Sequence, residues 1–345
     1  MTLSLRRLAA LPTIAAALAP ALLSLPQTPA PTTEPAAAQA SASPFLWRIE
    51  GNGTTGFLYG TIHLPDPRVL ALSTEVEEAF DGSDMFFAEI EATAASELEV
   101  HRASQLDGDK TLDELVGAST WARIEKRFAD AKLALITPAM KGSEPWAVSA
   151  MMPMLDYVPD LMSGKAPLDK ALFQRAQKAG KTVGGLETVA EQIAAFEAFD
   201  RTQQIQMLRE SLDLLDRYEA DGRSVMEETV VAWLSGDEKQ LMSLLDDGFG
   251  TDPVLSARAE EELLWKRNLR LADRIADKMT QSPDKTGFFA VGALHMPDER
   301  TEPRAAGAGT ANEPARKGIV TLLRAKGFRV ERAVPAAAVP AGAGR

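Results

Sequence analysis

Two stretches of the chain carry the same hydrophobic pattern. Gly56-Phe57-Leu58-Tyr59-Gly60-Thr61-Ile62-His63 is an apolar run interrupted by glycine and closed by histidine, and Gly287-Phe288-Phe289-Ala290-Val291-Gly292-Ala293-Leu294-His295 repeats it near the other end. Apolar runs of this length predict strands buried on both faces. Both end in Gly-x-x-His, and the chain has three histidines, so two of them finish the same motif in the same setting. A glycine there lets the backbone turn sharply or approach a ligand closely. The histidine then projects from the carboxyl end of its strand, where open α/β sheets bind ligands.

Between these runs the pattern alternates strand and helix. Phe45 to Glu50 and Phe57 to Ile62 read as a β-hairpin, with the glycines and asparagine of Gly51 to Gly56 supplying the turn. A helix follows, with Thr74 and Glu77 at capping-box spacing and Asp81-Gly82-Ser83 as its stop. The run from Asp84 to Glu91 is apolar until its end and predicts the next strand. Strand, helix and strand within about thirty residues make a βαβ unit and hence a parallel sheet. From about 96 to 180 the periodicity is helical, predicting a large helical insertion closed by Gly180. Met140, Met151, Met152, Met154 and Met162 fall in it and suit adaptable core packing, with a lipid- or peptide-binding surface as the alternative. Residues 181–187 return to strand, and Thr188 with Glu191 opens further helices. In the helix expected over 256–280, Leu264, Leu271 and Ile275 mark the buried stripe and Asn268 lies on it. A buried asparagine needs partners at both ends of its amide. Asn268, with Arg267 beside it, therefore points into a structural hydrogen-bond network or at the site. Residues 297–316 predict a loop bordering the site, 318–325 a short helix and 328–334 a last strand. The expected fold class is α/β, with a central mixed, largely parallel sheet, flanking helices and the helical insertion.

The two ends of the chain read differently. Arg6-Arg7, the apolar stretch Leu8 to Leu25 and the small-x-small triplet Ala38-Gln39-Ala40 predict a signal peptide and Pro/Ala-rich linker over 1–40. A fold over 44–334 and a disordered Ala/Pro/Gly tail over 335–345 complete the organisation. The expectation is an exported protein, periplasmic or secreted, with no integral membrane segment in the mature chain. The net charge of −12 argues against a nucleic-acid partner, which needs a basic face. The absence of cysteine excludes disulfides, thiol catalysis and thiolate metal sites.

Four polar residues stand where an apolar strand runs out: His63, Glu89, Glu187 and His295. Two imidazoles and one or two carboxylates suit a borderline divalent cation that keeps an open position. Such an ion lowers the pKa of a bound water to about 7. Glu89 or Glu91 held near His63 would equally serve as a general base, so a metal-free His–Glu pair activating water is the competing chemistry. His101 and the acidic runs Glu75-Glu77-Glu78 and Glu260-Glu261-Glu262 read as solvated surface, the runs as exposed helix starts. Neither phosphate-binding nor dinucleotide glycine motifs occur, nor His-Glu-x-x-His, nor Gly-x-Ser-x-Gly.

Tyr59-Gly60-Thr61-Ile62-His63, Ala88-Glu89, Gly185-Leu186-Glu187-Thr188, Arg267-Asn268 and Val291-Gly292-Ala293-Leu294-His295 occur in this order. Together they resemble the TraB/GumN, or Tiki-like, family over roughly residues 44 to 334. The resemblance implies an α/β core with a helical insertion. It also implies His63, Glu89 and His295 at the reacting centre, with His63, Glu89 and His295 as metal ligands and Glu187 and Asn268 as further candidates. Animal members are described as proteases using manganese or cobalt; zinc and iron suit the same donors. The wider superfamily includes His/Glu esterase-like hydrolases and a haem-binding iron-uptake lipoprotein. The leading expectation is thus an exported metal-dependent hydrolase of a peptide or ester bond, with a small-molecule or peptide substrate. The alternatives are a non-enzymatic haem or metal binder of the periplasm, or an accessory factor in envelope polysaccharide export. The segment 297–316 is longer than the family pattern implies.

Overall fold

The computed structural model describes residues 45–246, 248, 250–298 and 316–333. The expected signal peptide, the 335–345 tail and most of the 297–316 loop lie outside the described residues. Six strands form one sheet: β1 (Leu46–Gly51), β2 (Thr54–Thr61), β3 (Met85–Ala88), β4 (Thr182–Gly185), β5 (Gly287–Gly292) and β6 (Arg329–Arg332), in the order β4-β3-β5-β2-β1-β6. β4, β3, β5 and β2 run parallel to their neighbours, whereas β1 pairs antiparallel with β2 and β6. The sheet is therefore mixed, and flanked by helices as expected. The β1–β2 hairpin turns on Asn52 and Gly53, both at positive φ, which suits a tight two-residue hairpin.

The register between β3 and β5 explains the aromatic composition of both strands. Phe86 lies opposite Phe288 and Phe87 opposite Phe289. Successive side chains alternate between faces, so each face gains a stacked pair, with ring centroids 6.0 and 5.7 Å apart. On one face, helix α1 (Thr74–Asp81) adds Phe80 and helix α2 (Leu168–Lys178) adds Phe173 to the first pair. The opposite face is covered by two helices late in the chain, Lys266–Gln281 and Ile319–Ala325. Helices α3 (Val189–Glu197), α4 (Arg201–Ala220) and α5 (Val225–Ser235) lie between β4 and β5. A second apolar cluster joins Val100, Trp121, Phe128 and Trp146 to Ile193, Leu208 and Leu264, so residues from both helical stretches share one core.

Several local expectations need correction. Ser73, not Thr74, caps α1, and its side chain makes no capping bond. That shift of one residue removes Glu77 from box spacing, and Glu77 instead pairs with Arg175. The Thr188–Glu191 box does form. The strand expected over 84–91 is only four residues long, which leaves Glu91 exposed beyond it. The stretch 144–162 is broken into short helices and a 3-10 segment, with Pro153 and Pro159 each in the first turn of a new piece, where the missing N–H ends the preceding ladder. The acidic run 260–262 is not an exposed helix start. The helix there opens at Pro253, and Glu260 is buried where its last turn meets a π-helical turn, Glu261–Trp265. His101 is half buried rather than solvated. Met140, Met151, Met152 and Met154 are buried, in line with core packing.

Candidate active site

The four parallel strands end on one edge and deliver the four predicted side chains in a row. Glu187 follows β4, Glu89 follows β3, His295 ends a single 3-10 turn after β5, and His63 follows β2. Because β5 inserts between β3 and β2, the two histidines flank neighbouring strand ends despite 232 intervening sequence steps (295 − 63 = 232). All four residues are buried.

Each imidazole has an oxygen close to Nδ1. His63 Nδ1 lies 2.6 Å from Asp169 Oδ2, and Thr61 Oγ1 donates to Asp169 Oδ1 at 2.5 Å. His295 Nδ1 lies 2.6 Å from Asn268 Oδ1, while Asn268 Nδ2 donates to the Lys317 carbonyl at 3.0 Å. The second bond fixes which way the amide faces, so His295 Nδ1 carries the proton and Nε2 keeps its lone pair. His63 Nε2 is buried with no hydrogen-bond partner. Both Nε2 atoms face the same oxygen, Glu89 Oε1, at 3.9 and 4.0 Å. Gly292 closes the group: its N–H donates to Glu89 Oε1 at 2.7 Å. A Cβ there would stand 3.1 Å from that oxygen and 3.5 Å from His63 Nε2. The glycine is therefore needed for space at the centre of the site. Gly60 answers a different demand, since a Cβ there would meet Phe45 at 2.9 Å and the Ala293 backbone at 3.1 Å.

Behind the histidines lies a buried charge network. Arg267 donates to Glu89 Oε2 at 2.5 Å, to Glu187 Oε2 at 2.7 Å and to the Leu263 carbonyl at 3.2 Å. Gln192 donates to Glu89 Oε2 at 2.9 Å, and Arg270 donates to Glu187. Burial alone would raise the Glu89 carboxyl; Arg267 and the two imidazoles outweigh it and hold it at about 2. Glu187 is likewise lowered against its burial, chiefly by Arg267. Burial, reinforced by Arg267, pushes His295 down to about 4, so it is neutral at neutral pH. Burial also opposes charge on His63, but Asp169 and Glu89 prevail and leave it above its ordinary value.

His63, Glu89 and His295 are thus brought together. Glu187 stands one guanidinium away and touches neither histidine, and Asn268 and Arg267 point at the site. The residues not anticipated are Asp169, Gln192 and the Gly292 N–H. Asp169 sits in the first turn of α2, and no pattern along the chain links that turn to the end of β2.

In kind, the donors fit a divalent cation: two imidazoles with oriented Nδ1 atoms, a buried carboxylate and one orphaned Nε2. Outer oxygen partners on Nδ1 are what ligand histidines carry. Their spacing is wider than the roughly 3.4 Å between tetrahedral ligands of one zinc-sized ion. Among the described residues, no group of three or more His, Asp or Glu stands at metal-ligand spacing.

The fold and site define an α/β protein whose parallel strand ends gather two histidines around a buried glutamate. The chain matches the TraB/PrgY/gumN family over residues 45–332 and belongs to it. It is 24% identical over 332 residues to a protein of Danio rerio named metalloprotease TIKI1, covering 85% of this chain and 64% of that one. Metalloprotease TIKI1 of Homo sapiens is 24% identical over 341 residues, covering 86% and 63%. A metalloprotease TIKI homolog of Nematostella vectensis is 23% identical over 301 residues, covering 75% and 64%. The chain spans less than two thirds of the length of these relatives. No solved structure matches it. Among the described residues, no helix is long and apolar enough to cross a membrane.

Proposed function

We propose that the protein is a metal-dependent hydrolase of peptide or ester bonds, working outside the cytoplasm, with His63, Glu89 and His295 as ligands. One observation carries the reading: His295 is anchored at Nδ1 by the Asn268 oxygen, His63 Nδ1 lies 2.6 Å from the Asp169 carboxylate, and both rings turn Nε2 toward the same Glu89 oxygen. Two Nε2 atoms facing one buried carboxylate oxygen leave a place for a cation or a proton among them. The relatives' name, metalloprotease, supports the cation. When bound, the ion would acidify a water and polarise the scissile carbonyl. Asp169 and Asn268 would orient the two rings, and Arg267 would keep Glu89 ionised. A carboxylate held at about 2 is a weak base, which favours Glu89 as ligand over Glu89 as proton acceptor. The Arg6-Arg7 and Leu8 to Leu25 pattern supports export, which the mass of the mature N-terminus would check.

The competing chemistry is a metal-free Asp169–His63 pair drawing a proton from water, favoured by the 2.6 Å contact and the raised affinity of His63 for a proton. Metal analysis of chelator-free protein, beside a His63→Ala/His295→Ala variant, separates the two. Near-stoichiometric manganese, cobalt, zinc or iron in the parent alone, with hydrolysis lost on chelation and restored by that ion, is expected. Equal trace metal in both after reloading would sink the metal reading. Hydrolysis that survives chelation yet falls in Asp169→Asn would transfer the role to the pair.

A further inference from the structure

Space around the two histidines is divided unequally. Beside His295 and Gly292 lies a recess of about 70 Å³, lined chiefly by aliphatic and thioether side chains such as Met154, Leu214 and Met226. A water's share of liquid volume is about 30 Å³, so that recess takes one small apolar group and little more of a substrate. A second recess of about 70 Å³ also ends on His63, together with Glu89 and Asp169. Three of its residues, Ile90, Glu91 and Ser96, line an open groove of about 490 Å³ beyond the ends of β3 and β4 as well. That volume is in the range of ligand-binding clefts, so most of a substrate that reaches the histidines would lie in the groove. His63 is 6% exposed, and its Nε2, without a hydrogen-bond partner, is the group such a substrate would approach.

Charge and backbone narrow the occupant. Of the groove's cations, Arg274 is held by Glu191 and the Leu186 carbonyl, each at 2.7 Å, and Lys278 lies 5.0 Å from the Phe87 ring centroid. Glu187 is held by Arg267 and Arg270. Glu91, Glu99 and Asp277 are exposed and have no ion-pair partner among the described residues, so free negative charge exceeds positive. Among the described residues no three carboxylates stand at metal-ligand spacing, so the groove suits an extended cation rather than a bare ion. β4 is an end strand of the sheet, and the N–H groups of Thr182 and Leu186 donate to the Asp84 and Ala88 carbonyls at 3.1 and 2.8 Å. The alternation of the ladder therefore turns the backbone of Gly185, which lines the groove, away from β3. A rung open at that point suits another extended chain.

We infer that the groove is a substrate subsite for an extended peptide that carries a lysine or arginine two or three residues from the scissile bond. Strand spacing sets that number. Neighbouring strands lie about 4.8 Å apart, so from Glu89, after β3, to the far side of β4 is about 5–10 Å, and extended chain covers about 3.3 Å per residue. This inference rests on the hydrolase reading and narrows its substrate. In the step it implies, water gives its hydroxyl to the acyl carbon, the C–N bond breaks, and the amine leaves with the water's other proton.

The test separates binding from turnover. Random decapeptides digested by the full chain, purified without chelators, have their cut sites read by mass spectrometry. Lys and Arg should be enriched two or three residues to one side of the cut, and Asp and Glu depleted there. In matched peptides, Lys at that place should raise kcat/KM about three- to tenfold over norleucine, an advantage that shrinks with added salt. Glu99→Gln/Asp277→Asn, at two exposed positions away from the histidines, should remove the advantage and leave kcat/KM for the norleucine peptide unchanged. Binding is read by fluorescence anisotropy of the labelled Lys, norleucine and Glu peptides on His63→Ala/His295→Ala. The Lys peptide should bind tightest, and the same two substitutions should erase the difference. Charge-dependent binding with no hydrolysis of any peptide would keep the subsite and remove the hydrolase. Hydrolysis without a charge preference at that place, or a preference that survives Glu99→Gln/Asp277→Asn, would overturn the subsite and keep the hydrolase. Absence of both hydrolysis and charge-dependent binding would overturn the two together.

Discussion

Arg267→Met removes the guanidinium that Glu89 and Glu187 share while keeping most of its volume. Both carboxylates are shielded from solvent, with side-chain exposures of 3% and 0%. Deleting one partner of such a pair costs about 3–5 kcal/mol, because a buried charge is left uncompensated. The part due to Glu89 follows from its acidity: the interval between about 2 and the ordinary 4.5 corresponds to about 3 kcal/mol. The sign is that of a carboxyl depressed on folding. Its contribution is fully present above the unfolded value of 4.5 and disappears as pH falls through about 2. In the variant, burial acts on Glu89 without Arg267, its carboxyl rises, and protonation relieves the penalty as pH falls. Urea denaturation in EDTA, at about pH 7.5 and about pH 4.5, should show a deficit of about 3–5 kcal/mol at the higher pH and a smaller one at the lower. Adding Glu89→Gln should return part of the loss. A deficit equal or larger at acid pH, or one below about 1 kcal/mol at neutral pH, would refute the view that Arg267 is the countercharge of the site.

Asp169→Asn removes the main group that raises His63. Because a raised histidine stabilises the fold below its unfolded pKa and loses that contribution as pH rises, the stability deficit should be largest in acid and shrink as pH rises past the ordinary histidine range. An NMR titration should find His63 shifted down; an unmoved His63 would contradict the pairing. Asn268→Leu leaves His295 Nδ1 without its acceptor, so metal affinity or turnover should drop about 10–100-fold, measured by competition with a chelator. Full activity in that variant would deny the amide its orienting role. Gly292→Ala meets no backbone barrier, because φ there is −51, yet it sets a methyl among Glu89 and the histidines. Activity should fall at least about tenfold with melting within a few degrees of the parent; retained activity would move the reacting centre elsewhere.

How much of this was legible along the chain depends on the range of the force involved. The edge holding Glu187, Glu89, His295 and His63 could be read because each follows a short apolar run, and parallel strands must end together. Asn268 could be singled out because a polar residue on an apolar stripe needs partners. Contacts between elements left no such trace. Asp169 lies in the first turn of α2, 106 positions after His63 (169 − 63 = 106), in a stretch that resembles any acidic helix start. Arg267 could be suspected beside Asn268, but its clasp on two carboxylates depends on the π turn just before it, which shifts the helical phase. Glu260 shows the same limit from the other side. In a run of three glutamates it reads as solvated, and only the packing around the π turn buries it. The paired Gly-x-x-His motif carried the most information because each glycine answers a steric demand, although the two demands differ. Gly60 admits the Phe45 side chain and the Ala293 backbone, whereas Gly292 leaves space beside Glu89 and both imidazoles. A substitution series at the two glycines therefore separates the architecture of the edge from its chemistry: Gly60→Ala should act through stability, Gly292→Ala through the site.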